Sequence, residues 1–184
     1  MKNTEIFQGN KKLRYKNYFE GWYFKHSVED LGIAFIPGIS IQNGNERAFI
    51  QVITKTTTYC VFYNFNEVQF SSSPFFVRIG KSFFSKEKIA LDINDRKQDL
   101  KIYGSLHYSN IQNIQKTRWS PNIMGPFSHV PFMECNHAIL SMKHDITGKI
   151  FVNDSIYDFN NGQGYIEKDF RDLISKNIFM VSSK

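Results

Sequence analysis

The sequence is poor in the features that staple or anchor a chain from outside its own core. Only two residues are cysteine, Cys60 and Cys135, too few for a disulfide framework. No run approaches the roughly 18 apolar residues that a spanning helix needs. The first residues, Met1-Lys2-Asn3-Thr4-Glu5, have no apolar stretch of the kind that makes a signal peptide. These absences predict a soluble, cytoplasmic protein with no transmembrane segment. Basic clustering is also scarce. The net charge is +6, yet Lys and Arg are scattered among acids, and the one tight cluster is Lys11-Lys12-Leu13-Arg14. A solvated basic surface explains that balance better than a nucleic-acid face, so no nucleic-acid partner is expected. A sheet of stacking aromatics for single strands ranks last among the functions considered.

What the sequence has in abundance is aromatic side chains, 16% of 184 residues, including 18 Phe and 9 Tyr. Aromatics favour strands and cover large areas per side chain, so the bias points to sheet. At this length one domain over 1–184 can bury a core without metals or disulfides. Strands are predicted at 18–28, 32–41, 47–54, 58–65, 75–79, 88–93 and 100–108, and again at about 135–144, 149–159 and 163–168. Ala48, Ile50 and Val52 alternate with Arg47, Phe49 and Gln51, and Tyr59, Val61, Tyr63 and Phe65 share a face. Pro37 removes a ladder donor, which predicts an edge or a bulge in the second strand. Turns are expected at Asn43-Gly44-Asn45, at Asp145-Ile146-Thr147-Gly148 and at Asn160-Asn161-Gly162. Residues 109–133 carry Pro121, Pro126 and Pro131 and read as a long loop; 169–177 invite a short helix. Many short strands separated by turns predict an all-β antiparallel sandwich or barrel, of a size that holds one small ligand in lipocalins.

Three segments concentrate chemically capable residues. They are Phe19-Glu20-Gly21-Trp22-Tyr23-Phe24-Lys25, the stretch from Ile123-Met124-Gly125 through Val130-Pro131-Phe132-Met133-Glu134-Cys135-Asn136-His137, and Gly162-Gln163-Gly164-Tyr165-Ile166-Glu167-Lys168-Asp169. In order and spacing they resemble the tocopherol cyclase family, with its F-E-G-W-Y-[FY]-K, I-M-G-x-[FY]-x-x-V-P-F-M-E-C-x-H and G-x-G-Y-I-E-K-D-W motifs, and most of all its bacterial branch. Phe170 stands where the third motif has Trp. The resemblance implies a lipocalin-like β-barrel, the N-terminal half of a two-part fold whose second half has no counterpart here. It also implies chromanol-type ring closure of a lipophilic prenylated molecule with no cofactor. Fold travels further than function, so a lipocalin-like binder of an apolar ligand, or an inactive truncated member, stands as the alternative. Peripheral membrane contact and a homodimer that supplies a missing wall are the arrangements such a ligand and such a half-fold leave open.

Proton-initiated cyclisation needs an acid to protonate a double bond, aromatic faces for the tertiary cation, and a group that orients or deprotonates the phenol. Glu134, framed by Phe132, Met133 and Cys135, is the first candidate acid and Glu20 the second. The competing reading is a buried carboxylate paired with Lys25 or Lys168. Trp22 and Tyr23 either face a cation or fill the core. His137 is a hydrogen-bonded imidazole or a phenol-binding group. Phe132, Cys135 and Tyr165 complete the expected substrate contacts. No Cys/His set supplies four metal ligands, so no metal is expected. His26, His107, His129 and His144 show no partner pattern.

Overall fold

The computed structural model describes residues 17–113 and 136–172, with the side chains of Asn136, His137, Arg171 and Asp172 left aside. It is all-β. Twelve strands form one antiparallel sheet: β1 (Asn17–Val28), β2 (Leu31–Gln42), β3 (Asn45–Thr54), β4 (Thr58–Tyr63), β5 (Val68–Ser72), β6 (Phe75–Ile79), β7 (Ser82–Ser85), β8 (Lys88–Asp95), β9 (Leu100–Gln112), β10 (Asn136–Val152), β11 (Ser155–Asp158) and β12 (Gly162–Asp172). The spatial order is β4-β3-β2-β1-β12-β10-β9-β8-β7-β6-β5, with β11 added on β10. Among the described residues no helix is long and apolar enough to cross a membrane.

The path curls on itself for a reason visible in its order. Its two ends, β4 and β5, follow each other in the chain, joined by Asn64 and one 3-10 turn, Phe65–Glu67. Four residues cannot cross a flat eleven-strand path at about 4.8 Å per strand, so the sheet must bend until its ends are neighbours. The Glu67 carbonyl accepts from Gly80 N at 3.1 Å, and the Tyr63 ring lies against Gly80. At the same seam the Gln98 side-chain amide donates to the Cys60 carbonyl at 2.9 Å. The result is the lipocalin-like architecture, a barrel wall with its core on the concave side.

Alternation decides which residues fill that core. Ala48, Ile50 and Val52 are all fully buried on the inner face, while Arg47 and Gln51 face outward. Phe49 is covered on the outer face by stacking on Phe19 at 5.7 Å between ring centroids. On β1 the inner row is Tyr18, Glu20, Trp22, Phe24 and His26, each 1% exposed or less. This row packs across the interior: Trp22 meets Phe75 of β6 at 6.0 Å and Phe24 meets Phe84 of β7 at 5.4 Å. Each such ring removed from water contributes about 1.5–3 kcal/mol.

Four sequence expectations are corrected. Pro37 lies on an interior strand, between β1 and β3, because its N–H is not required: the β1–β2 ladder pairs Gly21 with Gly38 and resumes at Phe24 with Phe35. No turn forms at Asp145–Gly148; β10 runs straight through it. Gly148, at φ +125°, instead lets the Ser105 carbonyl of β9 approach where a Cβ would stand. The strand predicted to end at 108 continues to Gln112, and β12 carries strand pairing through Asp172, into the range predicted as helix. The hairpin at Asn43-Gly44 forms as predicted, with both residues at positive φ.

Candidate functional site

β1, β12 and β10 lie side by side, and their inner faces carry two polar clusters in an otherwise apolar core. Trp22 pairs with Lys168, and Lys168 with Ala138, across the three strands. Lys168 is fully buried, and its Nζ lies 2.6 Å from Oε1 of Glu20, itself fully buried. Tyr18 Oη donates to the other carboxylate oxygen, Oε2, at 2.7 Å. Two rings flank the ammonium: the Phe170 centroid is 5.0 Å and the Trp22 ring 5.6 Å from Nζ. A charge this deep persists only when it is paired and hydrogen-bonded, and both conditions are met. Of the two lysines considered for a buried carboxylate, Lys168 is the one that Glu20 takes. The cation also sits where ring quadrupoles favour positive charge.

The second cluster lies six positions further along β1, about 20 Å away at strand spacing. His26 Nε2 shares a 2.6 Å hydrogen bond with Tyr108 Oη of β9, and Ser141 Oγ shares one of 2.9 Å with His144 Nδ1. The Tyr108 ring is 4.3 Å from that of His144 and 5.7 Å from that of His26. Phe35 and Phe159 close the His26 ring in at 5.8 and 5.9 Å. Gly164 makes the cluster possible: it pairs with both His26 and His144, and the His144 ring occupies the place a β-carbon would take. Burial, and then the nearby His144, lower the His26 pKa to about 3. Burial lowers His144 to about 4, opposed by Asp145. Both imidazoles are therefore neutral at physiological pH. Burial raises the Tyr108 phenol well above its ordinary value.

The residues singled out from the sequence divide between the two faces. Glu20 and Trp22 come together inside, Trp22 directly opposite Lys168 and Glu20 diagonal to it. Tyr23 and Tyr165 belong to the outer row and are half-buried. Tyr165 Oη donates to Glu167 Oε2 at 2.7 Å, and Tyr23 pairs across the ladder with the same glutamate. Burial first and the Glu167 charge second raise the Tyr23 phenol; burial and the Glu167 hydrogen bond raise that of Tyr165. Tyr165 also lines a shallow outer depression with Lys25, Ser27, Met142 and Lys143. The backbone of His137 pairs with Asp169 at the start of β10. Phe132, Glu134 and Cys135 lie outside the described residues. No group of three or more His, Cys, Asp or Glu among the described residues is arranged to hold a metal.

Local sequence gave no sign of Tyr108 and His144 as partners of His26, because the three meet only through strand pairing. One signal was present: alternation from Trp22 puts His26 on the same face, and alternation from Ile102 and Leu106 does the same for Tyr108.

No family model matches the sequence, and no curated protein does. Among solved structures, the crystal structure of CghA with Sch210972 is similar, with a TM-score of 0.50 at 11% identity, over 86% of this chain and 47% of CghA. A second crystal structure of CghA gives 0.47 at the same identity and coverage. This chain thus spans about half the length of the structures it matches. At that identity the likeness is one of fold.

Proposed function

We propose that this chain is a tocopherol cyclase-like protein that takes a lipophilic, prenylated molecule into its lumen and closes a ring on it by proton-initiated isomerisation, without a redox cofactor. One observation supports this most: a buried carboxylate, ammonium and phenol (Glu20, Lys168 and Tyr18) stand beside Trp22 and Phe170 on the apolar inner wall. Trp22 and Phe170 are ring faces of the kind that stabilise a tertiary carbocation. The Glu20–Lys168 pair suits the orienting and proton-accepting role toward a phenol. The donor role falls to Glu134, which the resemblance puts forward. In the reaction the double bond gains a proton from the acid, the phenol oxygen bonds to the resulting cation, and the phenol proton leaves. The product is an isomer of the substrate. The solved CghA structure with Sch210972 is consistent with a small-molecule role for this fold.

A second reading, a lipocalin-like binder that performs no chemistry, is favoured by a specific feature. Both oxygens of Glu20 are already engaged, one by Lys168 and one by Tyr18. The two readings separate in one experiment. Incubation with a prenylated hydroquinone in heavy water should give a chromanol carrying one deuteron at the carbon that accepted the proton. Glu134→Gln should abolish turnover and leave ligand binding intact. Recovery of bound but unchanged hydroquinone from the parent protein would select the binder, and turnover retained in Glu134→Gln would remove that residue from the mechanism.

A further inference from the structure

The His26–Tyr108–His144–Ser141 cluster is placed where the pairing of β10 is irregular on both sides. Between Ile139 and His144, β10 uses five residue steps against the three from Glu167 to Gly164 on β12, with two shifts of register. On its other side β10 shifts register again between Lys143 and Asp145, opposite the β9 segment in which Asn110 has φ +51°. Bulges on both ladders turn Ser141 and His144 inward while Met142 and Lys143 stay outside. The strand is therefore held here by the side-chain cluster more than by backbone pairing.

We propose that this cluster is an acid-sensitive latch: protonation of its imidazoles releases β10 from β12 around Ser141–His144 and opens that end of the lumen. The surroundings explain the direction. β2 presents only Ile33 and Phe35 to His26, the turn after β11 presents Phe159, and β12 presents Gly164 and Ile166, none of them titratable. β9 contributes the Tyr108 phenol, which stays neutral. On β10 the one nearby acid is Asp145, and its carboxylate accepts a 2.6 Å hydrogen bond from Asn110 on the half-exposed side. Among the described residues, an imidazolium at either histidine would thus be buried among rings with no inward-facing carboxylate near it, and beside a second imidazole. Local opening returns both histidines to water, and the shifted registers on both sides of β10 lower its cost there.

The sign follows from the neutral folded forms. The closed state excludes protons that the open state takes up near pH 6.5, so the latch is secure above that value and weakens as pH falls toward 4. The test is amide hydrogen exchange on the whole chain, expressed as protection relative to intrinsic rates, from pH 7 to 5. Protection at Ser141–Ile146 and Gly162–Ile166 should fall at least tenfold, while that of the β1–β2 ladder from Tyr18 to Phe24 holds. His144→Gln and His26→Gln should each remove part of the loss. If a variant fails to fold, the exchange pattern of the parent protein still decides. Protection unchanged at pH 5, or lost equally along β1, β2 and β10, would overturn the proposal.

Discussion

The two ends of the lumen handle buried polarity in opposite ways. Near Glu20 the charges are kept and matched, with Lys168, Tyr18 and two rings around them. Near His26 charge is refused, and two imidazoles stay neutral among aromatic neighbours. The difference teaches where each end is fragile. A matched ion pair fails when one partner is removed, whereas a neutral pair fails when protons are added. Both ends draw on β1, β10 and β12, but they lie about 20 Å apart, so variants at one should leave the other in place.

The largest effect is expected at the charged end. Lys168→Met strands the Glu20 carboxylate in the lumen and should cost about 3–5 kcal/mol in urea denaturation, with Glu20→Gln in the same chain restoring much of the loss. A double variant no more stable than Lys168→Met alone would break the claim that the pair is matched. Acid comes next, and it should act at the other end. Stability should fall as pH drops from 6.5, at roughly 1.4 kcal/mol per pH unit for His26 and less for His144, because Asp145 favours its charged form. That amounts to about 2–3 kcal/mol by pH 4.5 from His26, with His144 adding roughly 2 kcal/mol, and a flat profile over this range would contradict neutral burial. Gly164→Ala should displace the His144 ring and cost about 1–3 kcal/mol, with the imidazole of His144 regaining a titration nearer 6.5 by NMR.

The smallest effect belongs to the outer face. Tyr165→Phe removes one half-buried hydrogen bond to Glu167 and should cost about 1 kcal/mol or less. Ligand affinity should not change, since Tyr165 does not face the lumen; a loss of affinity in this variant would move the site to the outer depression.

β1 was legible as a strand from its aromatic run, with rings on both faces; which parity faces inward, that of Glu20, Trp22 and His26, is shown by the structure. The hairpin at Asn43-Gly44 was legible because its chemistry is local. What was not legible depends on partners distant in sequence. Gly148 carries the composition of a turn, yet its purpose is the close approach of the Ser105 carbonyl on a strand more than forty residues earlier. Tyr23 and Tyr165 belong to the same motifs as Trp22 and Lys168, but a period of two divides each motif between the inside and the outside. Short strands such as Ser82–Ser85 offer too few residues for a pattern, and are fixed by pairing with β6 and β8. Motif density marked β1 and β12 without choosing a face.

The choice of face can be read directly by NMR titration of the intact chain with a prenylated hydroquinone. Binding in the lumen predicts that the Trp22 indole N–H and the Lys168 and Phe170 amides shift together, while Tyr165 and Gln163 stay still. Shifts confined to Lys25, Gln163 and Tyr165, with Trp22 unmoved, would contradict the account.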